Sequence, residues 1–329
     1  MRSWGTKWVI VVNQSKIYLE ISKQELQVIV TKHFGCRPFQ FQILHGGMFN
    51  TTYLLTVNDN EKYILRLGPV NRHLLLPFEN KLMISEPYFY NLCRQRKIPV
   101  PEIVAVDLEK KEIDRDYMIT KYIASEPLSA ETFSEEDKIA LYHSVGFYAL
   151  QINQITGDGF GRVADVVEGR GFCTWSAYLA HELEEWAQTV VPYRLYAEEE
   201  VERIRMLPRK YQQILNAIDK PHLVHADLWE GNILVERADG QYRVAAIIDG
   251  DRSLFGDPAF ETASGWMINE SFLKGYRLPI SHDHDAWLRK QIYRLMYAVI
   301  DSYVWFVEYD NEENGNNTRA KARELLQTL

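Results

Sequence analysis

The segment His225-Ala-Asp-Leu-Trp-Glu-Gly-Asn232 sets the carboxylate of Asp227 five residues ahead of the amide of Asn232, and a second carboxylate, Asp249, follows seventeen residues later. Phosphoryl transfer needs such a set. One carboxylate orients and deprotonates an attacking hydroxyl, while an amide oxygen and a second carboxylate suit hard, hydrated Mg²⁺. The competing reading is a buried Asp that caps a turn. The apolar run Val244-Ala-Ala-Ile-Ile248, which delivers Asp249 at a strand end, argues against it.

Upstream, His45-Gly-Gly-Met-Phe-Asn50 lies between two strand-like runs. Glycines let backbone amides approach phosphates, and a strand-loop-strand setting fits a flap over a nucleotide; alone, the same residues make an ordinary hairpin turn. Arg66 stands inside Tyr-Ile-Leu-Arg-Leu, and Glu86 falls in a helical segment twenty residues further on. A strand cation paired with a helix carboxylate can hold nucleotide α- and β-phosphates.

These groups need elements to position them. Ser22 and Glu25 form a capping box ahead of Leu26, Val28, Ile29 and Val30, predicting a short helix that ends at Gly35. Strands are expected at 39–44, 52–57 and 63–67, the last two joined by Asn58-Asp-Asn60, followed by a helix over about 80–96 and strands at 103–107 and 117–121. From Ser134 the period becomes helical, with further helices over 174–188, 198–218 and 285–307. Between them Ile233-Leu-Val235, the turn Ala238-Asp-Gly240 and Val244–Ile248 read as a hairpin. Ala124-Ser-Glu-Pro127 breaks regular structure, so a boundary is expected near 122–130, dividing the chain into residues 1–122 and 123–329. Residues 1–20 precede every motif.

Composition narrows the partners. Thirty-seven Lys+Arg against 45 Asp+Glu give a net charge of −8, which repels phosphate backbones and anionic membranes, so no nucleic-acid or membrane partner is expected. Acidic residues crowd two segments, Glu182–Glu202 and Asp301–Glu313, read either as solvated helix faces or as a region that attracts cations. Cys36, Cys93 and Cys173 have no CxxC spacing, and no apolar run is long enough to span a bilayer, so a reducing cytoplasm is expected.

The order of glycine loop, strand cation, helix Glu, H-x-D-x4-N and strand-terminal Asp resembles the aminoglycoside phosphotransferase family, choline kinases included, over residues 40–265. Members look like H-G-D-L-H-x-G-N followed by I-D-x6-G-D-P. Here stand His225–Asn232 and Ile248-Asp-Gly-Asp-Arg-Ser-Leu-Phe-Gly-Asp-Pro258. The resemblance implies an α+β, bilobal protein-kinase-like fold: a small antiparallel-sheet lobe with one main helix, and a larger, mostly helical lobe. It implies Asp227 as catalytic base, His225 as scaffold of the catalytic loop, and Asn232 and Asp249 as Mg²⁺ ligands. Arg66 and Glu86 become the nucleotide-clamping pair, Gly46, Gly47 and Asn50 the phosphate cover, and Thr120 to Tyr122 a hinge for the purine of ATP or GTP.

There are departures. Arg66 replaces a Lys of protein kinases, Ala226 a usual Gly, and Trp229-Glu230 a usual His-Pro, while Glu261 stands where Asp is frequent and reads as a structural carboxylate. None removes a metal ligand. The expected activity is therefore transfer of a γ-phosphoryl group to a hydroxyl of a small molecule. The acidic segments favour a cationic acceptor, such as an aminoglycoside or another antibiotic, with a metabolic kinase of choline, homoserine or sugar type as the alternative. A nucleotide-binding protein without activity is a further alternative, disfavoured because base and metal ligands are all present. Phosphorylation of proteins is disfavoured by the lack of D-F-G and A-P-E motifs. The chain is expected to be a monomer or homodimer. The group Ser281-His-Asp-His-Asp285 is read as solvent-facing, and most of Trp266, Trp287, Tyr293, Tyr297, Tyr303, Trp305, Phe306 and Tyr309 as core, with one or two at the acceptor.

Overall fold

The computed structural model describes residues 15–278, 281 and 283–329. The capping box forms as expected: Ser22 Oγ accepts from the Glu25 amide, and α1 (Lys23–Phe34) ends at Gly35. Next come β1 (Phe39–Leu44), β2 (Thr51–Val57), β3 (Glu61–Leu67), α2 (Leu82–Gln95), β4 (Ile103–Asp107) and β5 (Tyr117–Lys121). The five strands form one antiparallel sheet in the order β1-β2-β3-β5-β4. On one face Tyr53, Leu55, Leu65, Leu67 and Ile119 bury against Leu26, Ile29 and Val30 of α1. Each aliphatic side chain so buried contributes roughly 1.5–3 kcal/mol.

Beyond the sheet the chain runs β6 (Glu126–Pro127), α3 (Glu135–Asn153), β7 (Gly161–Arg162), α4 (Val163–Val167), α5 (Trp175–Val190), α6 (Glu198–Lys210) and α7 (Gln212–Leu215). It continues β8 (His222–Val224), β9 (Ile233–Ala238), β10 (Gln241–Ile247), β11 (Leu254–Gly256), α8 (Ala259–Ala263), α9 (Glu270–Tyr276), α10 (His284–Tyr303) and α11 (Glu312–Gln327). The architecture is the expected α+β one, an antiparallel sheet with one main helix followed by a mostly helical region. Three local expectations change. Glu126–Pro127 does not simply break structure but pairs with Val235 and Leu234 of β9. The single helix expected over 198–218 splits at Tyr211. The helix over 285–307 finishes in a π-helical turn, Val304–Glu308.

The β9–β10 hairpin turns through Asp239 (φ 51°) and Gly240 (φ 82°), two left-handed residues that match the strand twist. Its inner residues Ile233, Val235 and Ile247 join a core with Phe89 and Cys93 of α2 and Val145 and Ile152 of α3. That core fastens the helix carrying Glu86 to the hairpin that ends at Asp249. A second large core packs Trp175, Trp186, Tyr293 and Tyr303 among α5, α6, α10 and α11. Among the described residues no helix is long and apolar enough to cross a membrane.

Candidate active site

The loop between β8 and β9 carries His225, Asp227 and Asn232. The Asn232 amide donates to the Asp227 main-chain carbonyl (2.8 Å) and to Asp227 Oδ2 (3.1 Å). This fixes the orientation of Asn232 and leaves its Oδ1 facing away from Asp227. The Ile248 amide donates to the Asn232 carbonyl at 3.0 Å, so Asn232 and Asp249 emerge side by side from paired strands.

His225 is fully buried and stands edge-on to Phe89 of α2 at 5.2 Å. Its Nδ1 accepts from the Asp227 amide at 3.2 Å, so the proton sits on Nε2 and is donated to the Ile248 carbonyl at 2.9 Å. Burial lowers its pKa to about 4, which keeps the ring neutral at pH 7. One imidazole thus bolts the loop that carries Asp227 to the peptide that precedes Asp249. From the other side Glu261 Oε2 accepts the His225 amide at 2.7 Å, the structural part read for it from sequence. Burial pushes the Glu261 carboxyl up to about 7.

Ala226, in place of the usual Gly, is held at φ 64°, and Asp249 at φ 58°. Left-handed backbone at a residue with a Cβ costs roughly 1–2 kcal/mol. Burial raises Asp227 to about 7, opposed first by the charge of Arg252. That value suits a general base working near neutrality.

Arg66, on β3, reaches Glu86 Oε1 with Nη1 at 2.5 Å and Asp249 Oδ1 with Nη2 at 2.6 Å; Asp251 Oδ2 lies 3.8 Å away. Tyr90, one turn after Glu86, donates to the same Glu86 oxygen at 2.5 Å. Glu86, Asp249 and Asp251 have oxygens within 4.8 Å of one another, a donor set of the hard type that divalent cations prefer. Asp251 was not anticipated. Phe89 explains how α2 is pressed onto this loop: a Cβ on Gly250 would lie 2.1 Å from the Phe89 ring, so only glycine admits the contact. Asp257 of the Gly-Asp-Pro run lies behind, accepting from the Ala259 amide (2.9 Å) and from Tyr293 Oη (2.8 Å).

The glycine loop is residues 45–50, between β1 and β2, with Gly46 at φ 128° and Asn50 buried. Phe49 of this loop packs against the core around Trp175, which draws the loop tip toward the helical region. Thr120 is buried in β5 between Ile64 and Ile103, and the Tyr122 amide donates to the Lys62 carbonyl at 3.1 Å. The Tyr122 N–H is therefore already spent.

Glu79 and Arg252 were not found from sequence, and Asp301 was read there only as part of an acidic segment. Arg252 Nη2 pairs with Glu79 Oε1 at 3.0 Å, and Asp301, raised by burial to about 6, faces the same guanidinium. The adjacent charges of Asp251 and Arg252, directly after the strand-terminal Asp249, were the available signal for those two residues.

Several carboxylates of the acidic segments are taken up in ion pairs within the chain. Glu182 binds Arg162, Glu184 and Glu202 bind Arg205, Glu200 binds Arg323, and Asp310 binds Lys16. Of the late aromatics, Tyr293 and Tyr303 are core, whereas Trp266 is 45% exposed and meets Tyr297 edge-on at 5.6 Å. Tyr297 Oη in turn donates to the Ala226 carbonyl at 3.1 Å. In the 281–285 group, Asp283 caps α10 through the Ala286 amide; His282 lies outside the described residues.

The fold recurs in solved structures of low sequence identity. A thermostable mutant of aminoglycoside phosphotransferase APH(4)-Ia, crystallised with AMP-PNP and hygromycin B, matches at TM-score 0.64 and 17% identity over 92% of this chain and 98% of its own. The GDP and kanamycin complex of APH(2″)-IIIa matches at 0.60 and 14%, over 93% and 98%. A Thermobifida fusca YX-ER1 protein assigned as a fructosamine-3-kinase matches at 0.61 and 14%, over 92% and 98%. No curated protein matches in sequence. Residues 40–290, most of the chain and every site residue from Gly46 to Glu261, match the phosphotransferase enzyme family, and the protein belongs to that family of enzymes.

Proposed function

We propose that this phosphotransferase moves the γ-phosphoryl group of ATP or GTP to a hydroxyl of a small molecule, with Asp227 as the base that takes the hydroxyl proton. The observation that carries the reading is the double hydrogen bond from Asn232 to Asp227, in a loop bolted by His225 to the Asp249 peptide. Asn232 set against Asp227, in a loop joined to the peptide that precedes Asp249, supports a base and metal ligands acting together. Residues 1–122 act as the nucleotide lobe and 123–329 as the catalytic and acceptor lobe.

The residues fit Mg²⁺: Asn232 has its amide nitrogen committed to Asp227, which leaves Oδ1 for a cation, and Asp249 offers a carboxylate. When bound, the ion supplies charge neutralisation for the phosphates. Arg66, braced by Glu86, clamps the phosphates; Gly46, Gly47 and Asn50 cover them. The purine edge meets the chain between Thr120 and Tyr122 and, because the Tyr122 amide is engaged, continues to the main chain just beyond. Asp227 orients and deprotonates the acceptor hydroxyl. Positioning and electrostatics supply most of the acceleration in this chemistry.

The acceptor is read as a hydroxylated cation of aminoglycoside or related antibiotic type. Support comes from Asp301 beside the base, the exposed face of Trp266, and neighbours solved with hygromycin B and kanamycin. One observation favours a second reading, a neutral sugar-like or amino-alcohol metabolite: four carboxylates of the first acidic segment, Glu182, Glu184, Glu200 and Glu202, are engaged by arginines of this chain. Incubation with Mg-ATP and a library of antibiotics and metabolites, read by mass spectrometry, tests both. A single compound class gaining one phosphoryl group identifies the acceptor. Transfer to none of them, from ATP or GTP, contradicts the reading.

A further inference from the structure

The transferring phosphoryl group spreads negative charge over three equatorial oxygens, and that charge must be met by fixed cations. Arg66 meets the side facing Glu86 and Asp249. On the side of the base the catalytic loop offers nothing, because His225–Asn232 contains no Lys or Arg. The cation that faces Asp227 comes instead from the turn after Asp249. Gly250–Arg252 forms one 3₁₀ turn starting at that carboxylate, and Arg252 closes it.

Arg252 is built as a held fork. Glu79, with no exposed side-chain surface, grips Nη2 at 3.0 Å and is itself fixed by accepting the Leu76 amide with its other oxygen at 3.0 Å. The Arg252 carbonyl accepts from Arg162 Nη1 at 2.7 Å, and its guanidinium carbon stands 5.9 Å from the centre of the Phe78 ring. Among the described residues Glu79 is the one hydrogen-bond partner of this guanidinium, so most of its five N–H donors are free. A fifth of the side chain is exposed, whereas its anchor is wholly buried. After Glu79, the groups whose charge bears most on this guanidinium are Asp227, Tyr309 and Asp301.

We propose that Arg252 is a catalytic residue that donates hydrogen bonds to the equatorial oxygens of the γ-phosphoryl group during transfer, acting as a cation supplied in cis from the metal loop. The inference rests on the phosphotransferase reading. In the step, the acceptor oxygen–phosphorus bond forms, the bond from phosphorus to the bridging oxygen breaks, the nucleoside diphosphate leaves, and Asp227 takes the hydroxyl proton. Arg252 keeps its protons throughout.

The test compares calorimetric affinities of Mg·AMP-PNP and Mg·ADP for wild type, Arg252→Met and Arg252→Lys, together with acceptor-independent ATP hydrolysis. Arg252→Met is expected to weaken AMP-PNP about tenfold or more while leaving ADP within about twofold. In hydrolysis kcat falls by about 10³-fold, and KM for ATP rises in step with the loss of AMP-PNP affinity. Arg252→Lys, which keeps the charge and the Glu79 pair, lies between and covers the case in which the Met variant does not fold. A purely structural Arg252 gives the opposite result: both nucleotides weaken alike, or neither does while the melting temperature drops, and the proposal fails. Wild-type protein that binds neither nucleotide contradicts the phosphotransferase site itself, and Arg252 with it.

Discussion

Arg66 Nη2 lies 2.6 Å from Asp249 Oδ1, so the strand cation neutralises the same carboxylate that the site offers to a metal. On the proposed function a divalent ion and Arg66 compete for Asp249. Arg66→Met leaves Glu86, Asp249 and Asp251 clustered without a counter-charge. Loss of one partner of a buried pair costs about 3–5 kcal/mol. The expected outcome is a strongly lowered melting temperature in metal-free buffer, partly restored by millimolar Mg²⁺, whereas wild-type melting barely responds to Mg²⁺ alone. Equal responses in the two proteins contradict the competition.

Asp227 makes activity and stability oppose each other. Burial raises its pKa to about 7, so kcat/KM is expected to fall tenfold per unit below that pH as the base becomes protonated. The folded value lies above the unfolded value near 3.9. The favourable contribution is thus complete below about pH 4 and is lost as pH rises through 7. Asp227→Asn removes the charged form and is expected to stabilise the fold by about 2–3 kcal/mol at pH 8, with the gain vanishing near pH 4. Urea unfolding at both pH values checks this; a variant less stable than wild type at pH 8 refutes it.

Much of the architecture was legible because it is local. The Ser22–Glu25 capping box, the alternating strands and the Asp239-Gly240 turn each carry their own signal. The pairing of Glu126–Pro127 with β9 was not legible, since two residues have no period and their partner lies over a hundred positions away. In the site, His225, Asp227, Asn232 and Asp249 are close in sequence or end a recognisable strand. Arg66 and Glu86 were found by order along the chain. Glu79 and Asp301 acquire meaning only because folding surrounds Arg252 with carboxylates, which no spacing encodes. The ion pairs of the acidic segments were not legible for the same reason: their arginine partners sit on other elements.

Gly250 carries the contact between α2 and the metal loop. Gly250→Ala sets a methyl 2.1 Å from the Phe89 ring and is expected to destabilise by about 1–3 kcal/mol while disturbing Asp249. Gly250→Ala combined with Phe89→Leu should cost less than the sum of the two single changes, as measured by denaturant unfolding. Additive losses would show that Phe89 is not the obstacle.

Ala226 is held left-handed between His225 and Asp227. Ala226→Gly relieves strain but loosens the unfolded chain and removes a buried methyl, so a change within about 1 kcal/mol is expected. Ala226→Val, with a branched side chain at the same φ, is expected to destabilise clearly more. Thermal melts that rank Val at or above Gly would exclude strain at this position.

The central claim is that Asp227, Asn232 and Asp249 serve one transfer centre in different capacities. The direct measurement is Mg²⁺-dependent AMP-PNP binding alongside phosphoryl transfer in Asp227→Ala, Asn232→Ala and Asp249→Ala. The account predicts that Asp227→Ala binds like wild type but transfers nothing, while the other two lose both Mg²⁺-dependent affinity and transfer. Wild-type turnover in Asp227→Ala, or unchanged Mg²⁺ dependence in both of the others, contradicts it.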